Sequence, residues 1–198
     1  MKPILTVGTR WVAAALVIAL AACETPSPEI QYPEITFTNK KPIRLDVLDV
    51  EFVQKYVPKQ APPYVEHRFP VQPAAVVERW TKDRLEPVGI ARRARVILID
   101  AGVTETVLRK REGIRGFFWN DQSERYDTKV EVRVEIVDDD GVALAYAHAV
   151  ARRSRSVPED ISLSEREQVW FEFTEDVMKA LDVELERSIR RYLVRFVR

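Results

Sequence analysis

At 198 residues the chain is long enough for one ordinary domain and an appendage. Charged residues make up 31% and hydrophobic ones 46%, a composition that excludes a wholly disordered chain. Lysine plus arginine and aspartate plus glutamate both number 31, and this balance argues against a nucleic-acid binder, whose footprint is net basic.

The first ten residues carry Lys2 and Arg10 and no acid, and the apolar run WVAAALVIAL follows over 11–20. Ten residues are too few to cross a hydrocarbon core of about 30 Å as a helix. A basic start, a short apolar core and small residues at its end have the form of a secretory signal peptide. The run closes on Leu20-Ala21-Ala22-Cys23, and Cys23 is the only cysteine, so it has no intrachain disulfide partner. This segment resembles the lipobox of bacterial lipoproteins. The resemblance implies that the Cys23 thiol receives a diacylglyceryl group, that residues 1–22 are removed, and that the new amino terminus is acylated. Two or more acyl chains anchor a protein stably. The expected partner of Cys23 is therefore the lipid bilayer. The expected location is the bacterial cell envelope, lipid-anchored and facing the periplasm. Glu24, in place of the aspartate that favours inner-membrane retention in enterobacteria, favours the outer membrane.

Prolines at 26, 28, 33 and 42 make 23–42 an extended tether behind the lipidated cysteine, leaving 43–198 as a single domain. IRLDVLDVEFV (43–53) alternates apolar and polar residues with one change of phase, which predicts a strand with a β-bulge near Val47-Leu48. A proline-rich connection follows. Pro73 then suits the first turn of a helix running to about Glu86, with Val77 and Trp80 inward and Pro87 and Gly89 beyond its end. Residues 94–108 are apolar on both faces, as in a central strand, and Gly102 marks a bend or bulge.

KVEVRVEIV (129–137) alternates strictly, with Val130, Val132, Val134 and Ile136 on one side. DDDG at 138–141 reads as a hairpin turn rather than a cation loop. The returning strand sets Ala143, Ala145, Ala147, Ala149 and Ala151 on one face, where a helix or a partner can approach closely. Capping-box patterns at Ser162 and Ser164 open a long helix whose apolar stripe runs from Val169 to Phe196. The order strand, helix, three strands, helix predicts an α+β fold. Two helices would cover one face of a four-stranded antiparallel or mixed sheet, and the C-terminal helix would be long.

Chemistry is sparse in this pattern. His67 and His148 are the only histidines, without metalloprotease spacing, and neither a nucleophile elbow nor a phosphate-cradling glycine loop occurs. We expect no metal, no cofactor and no catalytic residue, with a carboxylate-based hydrolase left open. Two features suit contact with a partner. Phe117, Phe118 and Trp119 lie in a long connection at 113–126, either tucked under the sheet or forming an exposed tip. Arg152 and Arg153, with Arg155, form a basic cluster after the hairpin. If Arg92, Arg93 and Arg95 lie at the same end of the sheet, the two groups could bind phosphate headgroups, lipopolysaccharide or an acidic partner. Arginines 187, 190, 191, 195 and 198 complement the dipole of the last helix.

The segments PPYVEHRFPVQPAAVVERWTKDRL (62–85) and VPEDISLSEREQVWFEFTEDVMKALDVELERSIRRYL (157–193) resemble small proteobacterial lipoproteins. In element order the chain is more distantly similar to envelope-assembly and ABC-transport auxiliary lipoproteins. Neither resemblance brings a catalytic motif. The expected role is a non-catalytic interaction or adaptor module in envelope assembly or transport, with an envelope protein as partner. The alternative is a carrier that shelters a lipid or other apolar ligand between sheet and helices.

Overall fold

A computed structural model describes residues 31–108, 122–158 and 160–198. Cys23 and the aromatic segment with Phe117, Phe118 and Trp119 lie outside the described residues.

The strands are β1 (Ile43–Leu45), β2 (Asp49–Gln54), β3 (Leu85–Pro87), β4 (Arg93–Val107), β5 (Gln122–Val137) and β6 (Ala143–Pro158), and the helices are α1 (Pro73–Arg84) and α2 (Leu163–Tyr192). A mixed four-stranded sheet has the order β2-β4-β5-β6, with β2 parallel to β4 and the other pairs antiparallel. The parallel pair needs a long return, and the connection carrying α1 supplies it. The expected two-layer α+β fold with a long C-terminal helix is the observed one.

Long β5 and β6 follow from the alternation. Val130, Val132, Val134 and Ile136 are fully buried and pair across with Ala151, Ala149, Ala147 and Ala145. On the same face lie Val77 and Trp80 of α1 and Val177, Leu181, Leu185 and Ile189 of α2, in one continuous core. Burial of each such aliphatic side chain contributes about 1.5–3 kcal/mol. The small alanines let α2 come close to β6, the edge strand. There the Ser188 hydroxyl accepts from the His148 N–H at 3.1 Å and donates to the His148 carbonyl at 2.9 Å. This saturates two outward backbone groups of an edge that otherwise invites strand pairing.

The turn between β5 and β6 forms because Asp138 accepts the N–H groups of Asp140 and Val142, while Gly141 takes the positive φ of 81°. Ser162 caps α2 reciprocally with Glu165.

Four local expectations change. The predicted bulge at Val47-Leu48 is a break between two strands. β1 leaves to pair in parallel with β3, and β2 joins the main sheet. The first helix ends at Arg84, since Leu85–Pro87 turns extended to form β3. The irregularity in the central strand falls between Leu98 and Asp100, with Ile99 the extra residue, rather than at Gly102. Phe196 belongs to a short 3-10 turn after α2, and this end of the chain bonds with β1 and the residue after it: Asp46 N–H donates to the Phe196 carbonyl at 2.8 Å and Arg198 N–H to the Arg44 carbonyl at 2.9 Å.

Residues 32–42, expected to be part of a tether, pack on the domain. From Tyr32 onward the chain belongs to the compact unit. Tyr32 stacks on Phe171, Ile35 and Phe37 are buried, and Lys40 pairs with Asp182. Asp182 is wholly buried and also accepts from Trp80 Nε1 and Arg84 Nε, each at 2.8 Å. Arg84, 1% exposed, reaches Glu186 and the Lys41 carbonyl as well. One buried network thus ties the N-terminal segment, α1 and α2 together.

Candidate functional site

Neither helix packs on the second face of the sheet, and the alternation of the strands gives it mainly charged side chains, with the apolar Ile97, Tyr146 and Val150 among them. Most of these charges are matched by neighbours. Arg95 pairs with Glu51 across the β2–β4 register, Arg133 with Glu135, and Lys129 with both Glu131 and Asp100. His148 Nε2 lies 2.9 Å from Glu131. The bond from Lys129 leads in holding the Glu131 carboxyl below its ordinary value, and the His148 contact acts in the same direction.

The β4 irregularity opens a groove of about 820 Å³ in this face. β2 pairs with β4 only as far as Leu98. Past that point the edge of β4 is taken by the proline-rich connection, where Val65 N–H donates to the Val103 carbonyl and Glu105 N–H to that of Pro63. Glu66, buried in the next turn, fixes this arrangement by accepting from the Tyr56 hydroxyl at 2.6 Å and from the Val103 N–H at 3.3 Å. Burial first, and then the bond to Glu66, holds the Tyr56 phenol far above its ordinary range. Tyr56 and Tyr64 thereby flank Gly102. A Cβ at that position would sit 3.3 Å from the Tyr56 hydroxyl oxygen and from a Tyr64 ring carbon, so the absence of a side chain lets the connection close on the strand.

The groove takes its charge from three elements, two of them far along the chain from the first. Lys55 and Lys59 come from the connection. Lys129, Arg152 and Arg153 come from β5 and β6, and Gly102, Lys129 and Arg152 lie on one rung of the sheet. Lys59 Nζ donates to the Tyr64 hydroxyl at 3.0 Å and sits 4.4 Å from the ring centroid. That hydrogen bond, first among the causes, holds the Lys59 ammonium above its ordinary value. Asp100 and Asp127 supply the groove's carboxylates, and each already has a cation, Lys129 and Arg125 respectively. Among the described residues no carboxylate forms an ion pair with Lys55, Lys59, Arg152 or Arg153. The arrangement can hold an anion through several charged donors at once.

Of the residues singled out in the sequence, Arg152 thus faces the groove on the rung of Lys129, while Arg153, on the rung of buried Thr128, borders it and donates through Nη1 to the Arg152 carbonyl at 2.8 Å. Arg92, Arg93 and Arg95 are not with them. Arg93 lies on the rung of Val137 and Ala143, at the other end of the sheet, and these three arginines pair with Asp46, Asp49 and Glu51. Arg155 turns instead to Glu172 on α2. His67 is exposed in the 3-10 turn. The sequence reading missed Lys55, Lys59 and Tyr64. The one signal was the basic-aromatic stretch KYVPK at 55–59, and nothing local ties it to residue 152. A smaller hollow of about 620 Å³ lies between the start of β6 and Tyr192 at the end of α2.

No protein-family model matches the chain, and no curated protein matches it. Among solved structures it is similar to a minor lipoprotein from Acinetobacter baumannii at 11% identity and a TM-score of 0.41, over 75% of this chain and 96% of that one. It is also similar to the rare lipoprotein B from Shewanella oneidensis, at 16% identity and a TM-score of 0.36, over 70% and 92% of the two chains. A third is a PelC dodecamer from Paraburkholderia phytofirmans, at 12% identity and a TM-score of 0.19, over 77% and 92%. Likeness at this level carries no activity, ligand or partner over to this chain.

Proposed function

We propose that the chain is a lipid-anchored lipoprotein of the cell envelope, facing the periplasm. Its domain acts as a non-catalytic module that contacts an envelope protein. The observation that supports this role is the charged outer face of the sheet, on which neither helix packs and into which the 820 Å³ groove opens. The lipobox-like LAAC ending at Cys23 supports the anchor. Side chains of Val130, Val132, Val134, Leu181 and Leu185 occupy the space between sheet and helices, so the observations favour a contact module over a carrier of apolar ligands.

The test is expression of the full chain in a proteobacterial host with radiolabelled palmitate. Cys23→Ala is expected to abolish the label and to move the protein from the membrane to the soluble periplasmic fraction, and density-gradient separation of wild-type membranes assigns inner or outer. A photo-cross-linking residue at Arg152 is expected to give a discrete protein adduct that the same residue at Arg187, exposed on α2, does not. Retained label in Cys23→Ala refutes the anchor, and equal adducts from both positions refute the outer face as the contact surface.

A further inference from the structure

We infer that the groove beside the β4 irregularity is a binding site for a phosphorylated polar molecule, one bearing a phosphate on a hydroxyl-rich scaffold. This deepens the reading of the outer face as the contact surface. The groove belongs to the folded domain and keeps its charge whether or not Cys23 is acylated.

The contrast within one sheet face carries the argument. At the other end of the sheet Arg93 and Arg95 face acids placed opposite them by the β2–β4 register. Along β5 the basic residues Lys129 and Arg133 likewise have carboxylates in reach. Around the groove Lys129 keeps its acids, but the cations beside it have none. Lys55, Lys59 and Arg152 converge on one concavity from two separate elements, with Arg153 at its rim, and no acid is paired to any of them among the described residues. Holding like charges together in one hollow is unfavourable unless an anion enters, and the unpaired cations, arriving from different directions, suit a phosphate group with its tetrahedral set of acceptor oxygens better than a planar carboxylate. Arginine's planar fork bonds phosphate through two donors, and lysine adds point charge.

The remaining lining describes the rest of the ligand. A volume of about 820 Å³ far exceeds what a free phosphate ion fills and lies within the range of sites for small molecules. Asp100 and Asp127 accept hydrogen bonds, Ser154 can donate or accept, and the Tyr64 ring forms an apolar wall. Such acceptors repel a bare anion and suit neutral hydroxyl groups. A hexose phosphate and a phospholipid with a polyol headgroup share this chemistry.

Calorimetric titration of the full chain in nonionic detergent tests the inference. The probes are glucose 6-phosphate, glucose, and micelles doped with phosphatidylglycerol. At low salt, at least one phosphorylated probe is expected to bind with a Kd below about 1 mM, and raising the salt is expected to weaken it. Saturation by glucose 6-phosphate alone assigns a soluble ligand, and saturation by phosphatidylglycerol alone assigns a headgroup. The paired substitution Lys55→Ala with Arg152→Ala is expected to weaken binding at least about tenfold, Arg153→Glu by itself to weaken it likewise, and Arg195→Ala, an exposed cation on another surface, to leave it unchanged. All these side chains are exposed, so the thermal midpoint is expected to stay put. Failure of both phosphorylated probes to bind at about 10 mM overturns the inference. So does binding of glucose as tight as its phosphate, or an equal loss in Arg195→Ala. None of these outcomes depends on the palmitate label or the cross-linked adduct.

Discussion

Asp182→Ala removes the hub of the buried network and is expected to destabilise the fold more than any exposed substitution. The carboxylate accepts from Trp80 Nε1 and Arg84 Nε at 2.8 Å and pairs with Lys40, with no exposure of its own. Removing one partner of a buried ion pair costs about 3–5 kcal/mol, because the other charge stays behind without compensation. Arg84 retains Glu186 and the Lys41 carbonyl, which places the loss near the lower end, about 3 kcal/mol. In urea, with m near 2 kcal/mol/M, this moves the midpoint down by about 1.5 M. Burial alone raises the Asp182 carboxyl, but the bonds from Lys40, Trp80 and Arg84 outweigh it and hold the group below its ordinary value. A depressed folded pKa gives stability that is present above the unfolded value of about 3.9 and lost as pH falls through the folded one. The gap in stability between wild type and Asp182→Asn is therefore expected to narrow below about pH 4 and to be constant from about 5 to 7. A loss under about 1 kcal/mol for Asp182→Ala, or a gap that widens in acid, refutes this account of the network.

Ser188→Ala leaves the outward N–H and carbonyl of His148 without their partner, at a cost of about 1 kcal/mol. Amide exchange is expected to speed up at His148 and not at Ala147. Ser162→Ala removes the reciprocal cap of α2 and is expected to cost about 1 kcal/mol in urea unfolding, with loss of helical circular dichroism confined to the first turn. Gly102→Ala presses a methyl group against the Tyr56 hydroxyl and the Tyr64 ring, 3.3 Å away, and is expected to cost about 1–3 kcal/mol. Tyrosine fluorescence and the thermal midpoint should both shift, whereas an unchanged midpoint shows that the connection gives way freely.

The parts of the fold legible in the sequence are those with a period. Strict alternation over 129–137 places the valines of β5 inward, and the three- and four-residue spacing of Trp170, Phe173, Val177, Leu181 and Leu185 marks the buried stripe of α2. The turn that ends β5 is legible for another reason, the local DDDG chemistry of Asp138 and Gly141. Illegible were the elements without a period. β1 and β3 have three residues each, too few to show one, and they exist because the chain after α1 passes beside Ile43–Leu45. The segment after Tyr32 looks like tether because of its prolines, yet Ile35 and Phe37 are buried in a core made with residues that lie far along the chain.

The candidate site divides in the same way. Arg152 and Arg153 stand out in the sequence as a cluster of charge. Composition could not separate them from Arg92, Arg93 and Arg95, since a charge shows its partner only when the strands are in register. Parallel pairing of β2 with β4 gives the second group its acids, while the end of β2 at Gln54 sends Lys55 and Lys59 over the groove without any. The sequence by itself determined the two-layer class, the buried face of each long element and the lipobox-like cysteine, because these are carried by residues near one another along the chain. Only the tertiary structure decided which charges are matched and where a concavity opens. Both depend on strand register and on one extra residue at Ile99, and no local pattern of side chains encodes either.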